Sequence, residues 1–176
     1  MSCTLTTGRS VPCKDSVGGI KAVYFADFGT LGDLAGITET AYEVTGFGGT
    51  PDFFKFDVKG NSSLEQTITA SRENGTAFFE QTLSLTLTKL DLATLEELRI
   101  LVIGRPHVIV QDYNDNYLLV GAYNGADCTG GTIVTGAAMG DLSGFTLTMA
   151  GQEKFPAFFV EESVVTGAAS ASQINP

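Results

Sequence analysis

The sequence contains no tryptophan, and His107 is its only histidine. Its three cysteines, Cys3, Cys13 and Cys128, form no CxxC spacing and are too few and odd in number for a disulfide framework. A Cys3–Cys13 bridge stays open beside free thiols, and a zinc site would have to gather cysteines from distant parts of the chain. We therefore expect no metal centre and no cofactor.

Basic residues and long apolar runs are also scarce. The 176 residues include 10 Lys and Arg against 20 Asp and Glu, which gives a formal net charge of -10. A domain that grips nucleic-acid phosphates needs a basic face, so we do not expect a nucleic-acid reader. No run approaches the length of a membrane-spanning helix, and residues 1–9 lack the basic and apolar regions of a signal peptide. We expect a protein that folds in a cytosol and does not enter a membrane.

The residues that are present indicate a globular domain rich in β-structure. Hydrophobic residues make up 43% and charged residues 17%, the opposite of the balance in a disordered chain. The 21 glycines suit turns, and the 12 phenylalanines and abundant threonines suit strands. The length fits one domain. We divide it into a polar N-terminal arm (1–19), a β domain (20–161) and a flexible C-terminal tail (162–176).

The clearest pattern is a long β-hairpin. Residues 64–72 and 77–89 alternate apolar and polar side chains on both sides of the Asn74–Gly75 turn, which is the strongest short signal for a hairpin. One face of the second segment is apolar, with Leu83, Leu85 and Leu87. The other face carries small hydroxyl side chains and little charge: Thr82, Ser84, Thr86 and Thr88.

A single helix interrupts the strands. Asp91 is a good N-cap, and Gly104 followed by Pro106 suits a C-terminus, which predicts a helix over about 91–103. Its apolar stripe is Leu92, Leu95, Leu98, Leu101 and Val102. Further strands are predicted at 20–28, 40–47, 53–59, 107–112, 117–123, 132–135, 142–151 and 155–161, with loops at 29–38 and 125–131. This order predicts a mainly β protein, a sandwich or barrel with one helix packed on it.

No constellation of residues indicates catalysis. The sequence has no nucleophile elbow, HExxH, phosphate loop or dinucleotide motif in a suitable setting, so we expect no enzyme, and a hydrolase is the remaining enzymatic alternative. His107 follows Pro106 at the start of a strand, and we interpret it as a rim or interface residue. The segment 112–116 is superficially like a calcium loop but lacks the glycine and the distal glutamate, so we interpret it as a hairpin turn. Cys128 has no histidine near it in sequence and is interpreted as an ordinary thiol.

The polar face of the hairpin indicates assembly instead. The solvent face of a monomer normally carries more Lys and Glu, which protect the edges of a sheet. A neutral hydroxyl face indicates a surface that neighbouring copies cover. The alternative is a two-sheet core that uses threonine simply as a strand former.

Several segments in their order along the chain resemble structural proteins of tailed bacteriophages. They are residues 63–83 (SLEQTITASRENGTAFFEQTL), the helix, the 108–120 hairpin and residues 140–148 (GDLSGFTLT). The likeness covers about residues 18–161 and is nearest to tail tube and tail-tube-like ring proteins, including those of phages that infect Bacteroidetes. It implies a β-barrel or sandwich with one helix, whose copies form hexameric rings that stack into a tube around a DNA channel.

From this resemblance we expect a virion protein of the tail, assembled in the cytoplasm of the bacterial host. Its partners would be its own copies, other phage tail proteins, and genomic DNA that passes without specific binding. The hydroxyl-rich face would line the channel with Glu65, Thr67, Thr69, Glu80, Thr82, Ser84 and Thr86. The arm, the 29–50 region and the tail would make contacts between rings.

Two alternatives to a tail tube stay open. A head–tail connector, terminator or tail-hub protein of similar fold would also form a ring. A carbohydrate-binding β-sandwich belongs to another class and needs an exposed aromatic platform, which the absence of tryptophan disfavours.

Overall fold

Period-two patterning places a large part of this chain in strands. The computed structural model describes residues 8–11, 13–37, 42–58 and 60–168. Within them the protein is mainly β, as the sequence predicts, and has two helices, α1 (Leu92–Ile103) and α2 (Glu162–Gly167). The strands are β1 (Ile20–Ala26), β2 (Leu34–Ala35), β3 (Glu43–Val44), β4 (Gly46–Phe47), β5 (Phe54–Asp57), β6 (Ser63–Ser71), β7 (Thr76–Thr88), β8 (His107–Asp112), β9 (Tyr117–Val120), β10 (Asp127–Val134), β11 (Gly144–Glu153) and β12 (Phe158–Val160).

One antiparallel sheet contains four strands in the order β10-β11-β7-β6. It includes the predicted hairpin, which is confirmed: β6 and β7 pair as far as Ser71 opposite Thr76, and Gly75 has a φ of 64° in the turn. The alternate leucines of β7 are at most 8% exposed, and the polar residues between Leu83 and Leu87 are half-buried. The two faces of this sheet therefore differ in chemistry.

The second sheet has six strands in the order β3-β12-β9-β8-β1-β5. Its inner strands β1 and β8 are apolar in nearly continuous runs because both of their faces are covered. Val23 and Val108 face the four-stranded sheet and share a cluster with Leu83 and Met149. Ile109 belongs to a second cluster on the far face. The six-stranded sheet is therefore the middle layer.

Irregular segments and α2 cover that far face. Leu31, Val44 and Phe53 pack there, and Val165 of α2 joins them with 0% exposure. The sequence predicts one helix and a flexible tail from residue 162, and the structure corrects this over residues 162–168. A single buried valine in a short segment without a clear periodic pattern is a weak signal. Residues 169–176 lie outside the described residues.

The predicted helix is confirmed as α1. Asp91 caps it by accepting a hydrogen bond from the Thr94 backbone N–H at 2.8 Å, and the Gly104 N–H donates to the Ile100 carbonyl at 2.8 Å. The predicted apolar stripe is only partly buried. Leu98 is buried, whereas Leu92 is 70% exposed and other apolar side chains of α1 also face outward: Leu95, Ile100, Val102 and Ile103.

One predicted strand and one predicted loop also need correction. The predicted strand at 40–47 is two short strands in different sheets, β3 and β4, and residues 38–41 lie outside the described residues. The predicted loop at 125–131 is largely strand, because β10 begins at Asp127. Gly130 and Gly131 suggest a loop, yet a Cβ on Gly131 would lie 2.4 Å from the Thr146 carbonyl oxygen, so glycine permits close pairing there.

Candidate functional site

The hydroxyl-rich side of the hairpin forms one surface, which we call the outer face. Residues directly opposite in neighbouring strands share a face, so the register defines its membership. Glu65 lies opposite Thr82, and Thr67 lies opposite Glu80. All seven residues predicted to line a channel lie on this face and outside the buried core: Glu65, Thr67, Thr69, Glu80, Thr82, Ser84 and Thr86.

β11 and β10 extend the outer face beyond the hairpin. Thr146 lies opposite Thr86, Thr148 lies opposite Ser84, and Thr132 lies opposite Thr146. The Oγ1 atoms of Thr132 and Thr146 are 2.6 Å apart. Sequence reasoning missed this half of the surface because the pairing of β11 with β7 is a long-range contact. The alternation of apolar and polar residues at 142–151 was a usable signal for it.

The outer face is acidic. The four strands lie wholly within the described residues, and on this face they carry Glu65, Glu80 and Asp127 and no basic residue. Glu65 and Glu80 are diagonal neighbours on paired strands, a spacing of about 7–8 Å. Such a surface repels phosphate groups and offers them no cation.

Both ends of the four-stranded sheet are open edges. β6 and β10 each have a neighbour on one side only within the described chain. Long edge strands are usually protected by lysine, proline or a covering loop. Here β6 and β10 contain no lysine, arginine or proline, and most of their residues are exposed. Each edge therefore offers unpaired backbone donors and acceptors to another strand.

An apolar groove lies beside the β10 edge, and we call it the α1–β10 groove. Its volume is about 690 Å³. The core side of the sheet forms its floor with Phe145 and Leu147, and Leu95 and Val102 of α1 form a wall. Ile133 of β10 also lines it and is 63% exposed. The groove lies between α1 and the strands β10 and β11, and sequence reasoning missed it.

His107 is a buried structural residue, which corrects its interpretation as a rim or interface residue. It is 3% exposed, its Nδ1 lies 2.6 Å from the Gly121 carbonyl oxygen, and its Nε2 accepts the Gly29 N–H at 3.0 Å. The ring stacks on Phe28 at 5.1 Å. Burial lowers the pKa of His107, which keeps the ring neutral with one donor and one acceptor in use. These bonds hold the loops at the ends of β1 and β9.

Other buried polar side chains also have structural partners. Glu153 accepts the backbone N–H groups of Tyr123 and Asn124 at 2.9 and 2.7 Å, and Gln81 accepts the Gly121 N–H at 3.0 Å. No buried side-chain nitrogen or oxygen in the described residues lacks a partner. These hydrogen bonds hold the loop that follows β9.

The 112–116 segment is a hairpin turn, as predicted. Asp112 accepts the backbone N–H groups of Asn114 and Asn116, both at 2.8 Å, and Asp115 takes a φ of 58°. A further bond links Asp115 to Lys21 at 2.8 Å. Over the described ranges, no group of three or more His, Cys, Asp or Glu side chains is arranged to hold a metal ion.

The described residues bear on the expectations about cysteines and membrane helices. Cys13 and Cys128 are free thiols, and Cys3 lies outside the described residues. Neither described helix is long and apolar enough to cross a membrane.

Comparison with known proteins adds no assignment. No family model, curated protein or solved structure matches this chain.

Proposed function

We propose that this protein is a structural subunit of a bacteriophage tail tube. Its copies assemble side by side into rings of six, and the rings stack into a tube that conducts DNA. The observation that carries the proposal is one antiparallel sheet with two unprotected edges and an acidic, hydroxyl-rich outer face. The proposed finer fold is a tail-tube-like unit whose four-stranded sheet becomes one segment of a shared barrel.

The strand directions favour closure by rotation. The sheet has an even number of strands, and all of them are antiparallel to their neighbours, so β6 and β10 run in opposite directions. A rotation about an axis along the strands preserves direction. It therefore places β6 of one copy antiparallel to β10 of the next, and the alternation continues around the ring.

The stagger between the two edges matches a closed barrel. The centre of β6 is level with Glu80 of β7, because Thr67 pairs with Glu80. The centre of β10 is level with Leu85, because Gly131 pairs with Leu147 and Leu147 with Leu85. The offset is 85 minus 80, or five residues, which is about 16 Å at roughly 3.3 Å per residue.

This offset runs along the strands and builds up across the width of one subunit. Four strands at roughly 4.8 Å each make that width about 19 Å. Full overlap of β6 with β10 of the next copy then tilts the strands by about 40°, inside the roughly 35–45° range of closed barrels. Six copies supply about 24 strands and a circumference of at least about 115 Å. After side chains are subtracted, the channel is wide enough for duplex DNA.

Charge supports a passive channel. A basic lining would hold phosphates by releasing counterions, whereas the acidic outer face lets DNA slide. The partners in this proposal are copies of the chain, other phage tail proteins, and DNA that passes without specific binding. The site of action is the virion tail, after assembly in the bacterial host.

Electron microscopy of the purified protein tests the proposal. We expect rings or tubes, with Glu65 and Glu80 facing the lumen in a reconstruction. Isolated rings without stacking would favour a connector, terminator or hub protein that uses the same edges. A protein that stays monomeric at high concentration, or a ring with the outer face turned to the outside, would overturn the proposal.

A charge-reversal variant tests the lining separately. The double variant Glu65→Lys and Glu80→Lys should make assembled rings bind duplex DNA with an affinity that falls steeply with salt. A matched control places the same charge change on exposed residues away from the outer face and outside the α1–β10 groove, as Glu97→Lys and Glu161→Lys. Equal DNA binding by both double variants would contradict the assignment of the outer face to the lumen.

A further inference from the structure

We propose that the α1–β10 groove is the seat for the β6 edge of a neighbouring copy, and that Ile68 is the side chain that enters it. This inference rests on the proposed side-by-side assembly and names its contact. Three features of the described residues favour this occupant. They are the shape of the groove, the apolar residue Ile68 that β6 leaves exposed, and the requirement that the core sides of two joined sheets face the same way.

The groove fits an extended segment with apolar side chains. One rim is the open backbone edge of β10, which a strand can pair with. The floor and opposite wall are apolar, with Leu95 and Val102 on α1. Gly131 lines the groove without contributing a side chain to it. A strand with apolar residues on its core side fits this combination.

β6 has an apolar residue that its own subunit leaves uncovered. Ile68 is on the core side of the sheet, opposite Phe79, yet it is 68% exposed. The core side of this part of the hairpin extends beyond the buried cluster, which includes Leu83 but neither Ile68 nor Phe79. An isoleucine this exposed on the edge strand of a sheet is typical of a contact surface.

Register limits where β6 can sit on β10. In the joined sheet, core-side residues of β6 must lie opposite core-side residues of β10, and Gly131 is one of the latter. When the two edges overlap fully, the residue opposite Gly131 is therefore Gln66 or Ile68. In both arrangements Ile68 is opposite or diagonal to Gly131 and reaches the space under α1. The same pairing covers the exposed faces of Leu95 and Val102.

Opposite charges at the two predicted contact points provide the test. Ile68→Lys and Val102→Glu should each keep the fold, because both side chains are mostly exposed, at 68% and 52%. Each should raise the protein concentration needed for ring formation at least tenfold, measured by sedimentation velocity and negative-stain microscopy. The double variant should recover much of the loss, because a lysine and a glutamate then meet under α1.

The matched control is Thr67→Lys, on the same strand with its side chain on the outer face. It should leave ring formation near the unmodified level. If Ile68→Lys and Val102→Glu rings form as readily as unmodified rings, the groove is not the seat, although the tube function would stand. If the unmodified protein forms no rings at all, the proposed function fails first. If both single variants block assembly without mutual rescue, the direct Ile68–Val102 contact is wrong.

Discussion

The assignment of an inside and an outside to β7 can be tested by a matched pair of alanine variants. Leu83 is 0% exposed in the core, and its neighbour Thr82 lies half-buried on the outer face. Leu83→Ala removes three carbon atoms, which costs about 2.4 kcal/mol at roughly 0.8 kcal/mol per methylene group. The cavity that remains raises the loss of unfolding free energy to about 3–4 kcal/mol.

Thr82→Ala removes a side chain from the outer face and should cost less than about 1 kcal/mol. Urea denaturation followed by circular dichroism measures both values, and the melting temperature of Leu83→Ala should fall by about 10 °C. The measurements belong at concentrations below the onset of assembly, because ring formation would add stability through mass action.

A slip of one residue in the pairing of β7 would exchange its two faces. Equal losses for the two variants, or a larger loss for Thr82→Ala, would therefore refute the register. The outer face, the lumen assignment and the Ile68 contact would lose their basis with it.

Three further predictions concern the folded subunit. Burial lowers the pKa of His107, so the unfolded chain binds a proton first as pH falls, and the free energy of unfolding declines below about pH 6.5. His107→Gln should make this decline less steep, as measured by urea titration at several pH values. Asp91→Ala should cost about 1 kcal/mol by removing the cap on the Thr94 N–H, whereas Asp91→Asn should keep most of it. Gly144→Ala should cost about 2 kcal/mol or more, because the new Cβ would lie 2.1 Å from the Leu87 carbonyl oxygen, and Gly140→Ala, with open space around it, is its control in thermal melts.

Local patterns explain which elements could be predicted. The hairpin around Gly75 and the helix after Asp91 depend on turn and cap residues that act within a few positions, so the sequence contains their full signal. The first part of β10 was missed because Gly130 and Gly131 suggest a loop unless the neighbouring strand is known, whereas residues 132–134 belong to a predicted strand. α2 was missed because its one buried residue, Val165, reaches a cluster built from distant segments.

The sequence by itself determined that this protein is mainly β and that one face of its long hairpin is neutral to acidic and rich in hydroxyl groups. Those properties follow from composition and from a period of two along the strand. Only the tertiary structure decided that β11 and β10 extend this face, that β6 and β10 are the open edges, and that α1 leaves a groove beside one of them. The order of strands in a sheet depends on pairings between residues far apart in the chain, and no local pattern encodes them.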